Sequence, residues 1–174
     1  MRNEPLFEKN TNEETPIVDN SRVLAIVETS REPAQLRRFM KNAELMNEPA
    51  VGDAAFRRLV DILPEEEPGT VEHDFWRSIF SLEQALSDER GKTVRLARTR
   101  PKIAKVGAVQ TMKDLAMSRS ASEGFEMLLD RNMAELTTEA VVLRHQKRFE
   151  SEVVAAAKSR LQEAGVDVDR LPQC

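Results

Sequence analysis

The chain has 174 residues, which is enough for one ordinary domain with or without an appendage. Charged residues make up 32% of it and aromatic residues only 5%, so a core must be built from aliphatic side chains, methionine and alanine. That mixture favours helices, because straight-chain side chains lose little conformational freedom in them. The net charge of −4 argues against a uniformly cationic protein that coats nucleic acid or a membrane.

Cysteine content and hydropathy exclude further classes. The single cysteine, Cys174, excludes a disulfide framework within the chain and a cysteine-rich zinc site. No run approaches 18 apolar residues, and the first residues lack the apolar stretch of a secretory signal. We therefore expect a cytoplasmic protein without membrane contact.

Residues 1–20 are predicted to form a flexible, acidic tail. They carry five acidic residues, two basic residues and two prolines, and show no helical period. Residues 21–64 are predicted to form an N-terminal helical subdomain. It begins with the apolar run Val23–Val27, which fits either a strand or a helix. Two helices follow, with Ser30 and Asp53 as candidate N-caps.

Residues 70–170 are predicted to form the main helical domain, after a proline-bracketed acidic break at residues 64–69. Thr70 is a candidate N-cap for a helix whose apolar stripe includes Phe75, Ile79 and Leu82. Ser122, Thr137 and Ser151 are candidate N-caps of later helices. The expected fold class is all-α: an irregular multi-helix bundle with a disordered acidic N-terminal tail.

The main domain contains a basic segment, residues 90–105, with no acidic residue in it. Its seven bases are the predicted partner-binding residues: Arg90, Lys92, Arg95, Arg98, Arg100, Lys102 and Lys105. On a helix, four of them would share an arc of about 80°, while the apolar residues occupy another arc. This pattern favours an amphipathic helix that binds an anionic partner, either an acidic protein surface or nucleic acid. Internal neutralisation by the acids at 65–67 or by the N-terminal tail is an open alternative.

Residues 111–131 offer another interpretation, a loose helix-turn-helix of a DNA-binding regulator. The spacing of two short helices around a polar turn is typical of that motif. The second helix carries Glu123, Glu126 and Asp130, however, and these acids would repel phosphate. Two packed helices of an ordinary bundle are therefore favoured over a DNA-reading unit.

No catalytic residue, cofactor site or metal site is predicted. The six glycines form no phosphate-binding loop, and the two histidines, His73 and His145, do not have the spacing of a zinc-binding pair. An enzyme whose site combines His73 with dispersed carboxylates is a further alternative. The favoured function is a non-enzymatic interaction protein, regulatory or adaptor-like, that docks an anionic partner through the basic segment 90–105.

Overall fold

The computed structural model describes residues 20–172, which form eight α-helices and three 3-10 helices without a strand. The predicted all-α class is therefore confirmed for this part of the chain. The predicted tail, residues 1–20, lies outside the described residues except for Asn20. The α-helices are α1 (Ser21–Thr29), α2 (Pro33–Met46), α3 (Pro49–Ile62), α4 (Val71–Arg90), α5 (Thr99–Ala116), α6 (Glu123–Asp130), α7 (Thr138–Arg144) and α8 (Ser151–Glu163).

The first three helices pack around a small apolar cluster of their own. The run Val23–Val27 is helical, and Val27 is buried with Leu36 of α2 and Leu59 of α3. The predicted N-caps Ser30 and Asp53 are wrong, since α2 and α3 each begin at a proline. A proline fits the first helical position because its missing N–H has no partner there in any helix.

The largest apolar cluster lies where α4, α5, α7 and α8 meet. Phe75 and Ile79 are buried in it as predicted, against Met112 and Val142. Leu82 is only partly buried. The predicted caps Thr70, Ser122 and Thr137 are confirmed, because each side chain accepts a hydrogen bond from a backbone N–H in the first helical turn. Ser151 is instead the first residue of α8.

A second cluster connects the N-terminal helices to the main body. Phe56 and Val60 of α3 pack against Leu128 of α6 and Leu136 of the following 3-10 turn. The break at residues 64–69 is free of helix, as predicted. The division into 21–64 and 70–170 stays a prediction about independent folding.

The basic segment is not one helix, and that prediction is wrong. Helix α4 ends at Arg90 because Gly91 adopts the left-handed conformation, with φ of 61°, as glycine does at many helix ends. Residues 92–98 form a non-helical connection, and α5 begins at Thr99. Pro101 lies in the first turn of α5, where proline is tolerated. Arg95 and Arg98 therefore do not share a helical face with Lys102 and Lys105.

No helix among residues 20–172 has the length and apolar character needed to cross a membrane.

Candidate functional site

The connection between α4 and α5 is held against α4 by side-chain to backbone hydrogen bonds. The Leu96 N–H donates to Oε1 of Glu83 at 2.8 Å, and the Val94 N–H donates to the Ser87 hydroxyl oxygen at 2.9 Å. Both acceptors lie on α4. An extended segment without such partners would leave its amides to water and move freely. Two attachment points within three residues fix the path of this backbone.

Arg100 is bound internally at the start of α5. Its guanidinium donates to both carboxylate oxygens of Glu83, at 2.6 Å and 2.7 Å, and lies over the rings of Trp76 and Phe80. The hydrogen bond from Glu83 raises the pKa of Arg100 above its ordinary value, and the charge of Glu83 acts in the same direction. A two-point contact of this kind is both strong and directional. Arg100 therefore stabilises the fold rather than presenting a charge to a partner.

Lys102 is also paired. Its Nζ lies 2.6 Å from a carboxylate oxygen of Asp114, which lies further along α5. The hydrogen bond from Lys102 lowers the pKa of the Asp114 carboxyl. The internal neutralisation considered from sequence is thus present for Arg100 and Lys102. Its partners are Glu83 and Asp114, not the acids at 65–67, which make no ion pair with the basic segment among residues 20–172.

The other five predicted binding residues are exposed and form no ion pair within the part of the chain that the structure describes. Four of them cluster around the connection, and we call these four the cationic loop: Arg90, Lys92, Arg95 and Arg98. Lys105 stands apart on the exposed side of α5. The structure therefore divides the predicted set into two structural bases, four loop bases and one isolated lysine.

A cavity of about 420 Å³ lies beneath the cationic loop. It is lined by residues of the loop, of α4, of both ends of α5, of α6 and of the first turn of α7. Arg90, Arg95 and Arg98 line its rim together with one acid, Glu123, at the start of α6. The rest of the lining is mainly apolar and also includes Ser78, Thr137 and Glu139, so the site combines a mainly apolar interior with a basic edge.

A second polar cluster surrounds Asp74 of α4. One of its carboxylate oxygens accepts hydrogen bonds from Arg144 at 2.9 Å and from Nε2 of His145 at 2.8 Å. The other accepts a hydrogen bond from Arg77 at 3.2 Å, and Nδ1 of His73 lies 3.6 Å from it without a hydrogen bond. All of these side chains except Arg77 are about nine-tenths buried or more. We call these five residues the Asp74 cluster.

The environment of Asp74 strongly favours its ionised form. Burial alone raises its pKa, but hydrogen bonds from Arg144 and His145 and the charges of Arg144 and Arg77 outweigh burial. The net result is a pKa well below the ordinary value for aspartate. Three donors occupy the two oxygens, so the carboxylate joins α4 to the end of α7 and is poorly placed to accept a proton from a substrate.

Sequence reasoning missed the Asp74 cluster, because Asp74 and Arg144 lie 70 positions apart in the chain. His145 is the C-cap of α7. His73 and His145 do not line the cavity beneath the cationic loop, and no cluster of three potential metal ligands occurs among residues 20–172. The enzyme built around His73 stays a prediction without a supporting contact.

Comparison with known proteins identifies no relative: no family model matches this chain, and neither curated proteins nor solved structures give a significant match. Function is therefore inferred from the residues and contacts of this chain alone. Of the two clusters, the cationic loop is exposed and borders a cavity, whereas the Asp74 cluster is largely buried and its carboxylate is already bound by three donors. The cationic loop is the better candidate for binding.

Proposed function

We propose that this chain is a non-enzymatic interaction protein, regulatory or adaptor-like, that docks an acidic protein surface through the cationic loop of its basic segment 90–105. One observation carries the proposal. Arg95 and Arg98 project from a backbone held in place by Glu83 and Ser87, yet no carboxylate among residues 20–172 pairs with them. A rigid loop with unpaired arginines is prepared for an anionic partner, because little conformational freedom is lost on binding.

The surroundings of the loop favour a protein partner over nucleic acid. Protein interfaces combine an apolar centre with a polar rim and are enriched in arginine. The apolar cavity beside Arg95 and Arg98 provides such a centre. A phosphate backbone has no apolar group to fill that cavity, and the carboxylate of Glu123 at its rim would repel the phosphates.

The DNA-binding alternative would use α6 as the recognition helix. In the structure, Phe125 and Leu128 of α6 are buried, and the helix packs on α4, where Gly124 lies against Leu82. Its exposed residues include Glu123, Glu126 and Asp130. A helix that reads base edges needs exposed donors and nearby cations instead. This alternative stays a prediction, and the geometry favours the acidic protein partner.

The test compares two anionic probes, a fluorescently labelled oligoglutamate peptide and a labelled DNA duplex of random sequence. Both are titrated with the unmodified protein and with the double variant Arg95→Glu/Arg98→Glu. The matched control is Arg31→Glu/Arg38→Glu, which changes the net charge equally at exposed arginines outside the basic segment. We expect the loop reversal to weaken peptide binding at least tenfold, and the control to weaken it by much less.

Equal losses in the loop variant and the control would contradict the proposal, because overall charge rather than the loop would then govern binding. Absence of peptide binding to the unmodified protein would also contradict it. If the duplex binds more tightly than the peptide, the dependence on salt identifies phosphate contacts. Affinity should then fall by about 0.9 log unit per neutralised phosphate for each log unit of salt. That outcome would replace the acidic protein partner with nucleic acid.

A further inference from the structure

We propose that the cavity beneath the cationic loop is a pocket for one large apolar side chain, phenylalanine or leucine, carried by an acidic peptide segment of the partner. Carboxylates on either side of that side chain would bind Arg90, Arg95 and Arg98. The inference rests on the proposed function, and it adds which peptide chemistry the site selects.

The size and lining of the cavity match an apolar side chain with its adjoining backbone. Its volume of about 420 Å³ lies in the range of about 300–1,000 Å³ that is usual for ligand pockets. Residues of α4, the connecting loop, α5, α6 and α7 converge on it. Its apolar lining consists of nine residues: Ile79, Leu82, Leu86, Val94, Leu96, Ala97, Leu115, Phe125 and Leu128.

The charges at the rim select an acidic rather than a neutral peptide. Arg90, Arg95 and Arg98 form no ion pair within residues 20–172. Of the acids that line the cavity, Glu139 is already bound by Arg160 at 2.7 Å. Glu123 is left as the single opposing charge, so the rim carries a clear excess of positive charge. Carboxylates on the bound peptide would find guanidinium donors, and lysines would be repelled.

The pocket is formed before any ligand binds. A Cβ atom at position 124 would overlap the end of the Leu82 side chain, so α6 lies close to α4 at Gly124, beside the cavity. On the opposite side, the hydrogen bond from the Leu96 N–H to Glu83 fixes the loop wall. Walls fixed on both sides reduce the ordering that a ligand must supply, which favours recognition of one side-chain shape.

The spread of the rim charges favours a peptide over a small free acid. A single carboxylate satisfies one arginine, or two when they converge, whereas the rim offers three. A peptide with acidic residues on both sides of its apolar residue can engage all three at once. A small aromatic acid is therefore a competing occupant that the experiment must distinguish.

The experiment uses a short synthetic peptide with one phenylalanine between glutamates, and a matched peptide with serine in place of the phenylalanine. Binding of each is measured by calorimetry to the unmodified protein. Burying a phenylalanine ring should strengthen binding at least tenfold over the serine peptide. Hydrocinnamate, a free acid with the same ring, is titrated alongside and should bind far more weakly than the phenylalanine peptide.

A variant that fills the mouth of the cavity tests the location. Ala97 lines the cavity and is exposed, so Ala97→Trp should remove the preference for phenylalanine while leaving the fold intact. Ala104→Trp is the matched control, because Ala104 is an exposed alanine that does not line the cavity. Leucine methyl NMR adds a direct readout. The phenylalanine peptide should shift the signals of Leu82 and Leu86 and leave Leu36, in the N-terminal cluster, unchanged.

The outcomes of these binding experiments distinguish failure of the pocket from failure of the proposed function. Equal binding of the two peptides, with both lost on reversal of Arg95 and Arg98, would overturn the pocket while leaving the proposed function standing. A phenylalanine preference that survives Ala97→Trp, or methyl shifts confined to other leucines, would place the side chain elsewhere and overturn the pocket. Hydrocinnamate binding as tightly as the peptide would replace the peptide with a small acid. Absence of binding by either peptide would contradict both the pocket and the proposed function.

Discussion

The Asp74 cluster and the cationic loop use positive charge in opposite ways. In the Asp74 cluster, one buried carboxylate collects hydrogen bonds from Arg144, His145 and Arg77. In the cationic loop, four exposed bases form no ion pair with any carboxylate of residues 20–172. A buried charge is stable only when it is paired, whereas an exposed charge remains hydrated at little cost. The first arrangement therefore holds helices together, and the second is free to bind.

Within the basic segment, Arg100 resembles the paired bases of the Asp74 cluster rather than the unpaired bases of the cationic loop. It belongs to the basic segment by sequence, yet it lies on Trp76 and Phe80 and is bound by Glu83. Its pairing with Glu83 also orders the loop, because Glu83 accepts the Leu96 N–H as well. One structural base thus supports the position of its exposed neighbours. Variants at the two regions should consequently separate stability from binding.

The largest expected effect comes from removing the charge at the centre of the Asp74 cluster. Asp74→Asn keeps the side-chain size but leaves the buried Arg144 without a counter-charge. Loss of one partner from a buried ion pair typically costs about 3–5 kcal/mol of unfolding free energy. Urea unfolding at neutral pH measures it. The control is Asp167→Asn, which removes an exposed pair with Arg170 and should cost less than about 0.5 kcal/mol.

Acid should reveal the same interaction in the unmodified protein. The native pKa of Asp74 lies well below the ordinary value of about 3.9, so the folded state binds its proton less readily than the unfolded state. The stabilisation is therefore fully present above about pH 5 and is lost progressively as the pH falls through about 4 toward the native pKa. Unfolding free energies measured across this range should converge for the protein and Asp74→Asn. Parallel curves would contradict the assignment.

A smaller loss of stability is expected when Glu83 loses its charge. Glu83→Gln weakens the ion pair with Arg100, which is about one-quarter exposed and regains some hydration. We expect a cost of about 1.5–3 kcal/mol, typical of hydrogen bonds to charged groups. Hydrogen exchange should show faster exchange at the Leu96 amide, whose acceptor is Glu83. Asp114→Asn, which breaks the exposed pair with Lys102, should leave that amide unchanged.

The smallest effect on stability is expected at the cationic loop itself. Arg95→Glu/Arg98→Glu changes exposed side chains without partners among residues 20–172, so the unfolding free energy should change by less than about 0.5 kcal/mol. Thermal and urea unfolding measure it. A loss above 1 kcal/mol would mean that these arginines serve the fold, and the contrast between the two regions would fail.

Local signals in the sequence predicted the elements that local physics determines. Thr70, Ser122 and Thr137 were identified as caps because a hydroxyl before an apolar helical stripe satisfies free backbone N–H groups. Phe75 and Ile79 were placed in the core because their spacing follows the helical period. Pro33 and Pro49 each mark a helix start that differs from the one indicated by Ser30 and Asp53. The predictions at Ser30 and Asp53 were wrong because the helices begin at the prolines.

The candidate site was predicted only in part, because its organisation depends on contacts between distant residues. A glycine such as Gly91 is compatible with a weakened helix or with a helix end, and only the structure shows that α4 ends there. The division of the seven bases into paired and unpaired sets depends on Glu83, which lies 17 positions before Arg100. The cavity depends on α6 packing against α4, which no local pattern encodes.

A charge-swap measurement tests the central claim most directly, namely that the cationic loop is the docking surface. The unmodified protein should bind an oligoglutamate peptide, and Arg95→Glu/Arg98→Glu should lose that binding and bind an oligolysine peptide in its place. Arg31→Glu/Arg38→Glu, with the same net charge, should retain oligoglutamate binding and gain little for oligolysine. This exchange of preference at one site and not at the other is the predicted result. Equal behaviour of the two variants would contradict the claim.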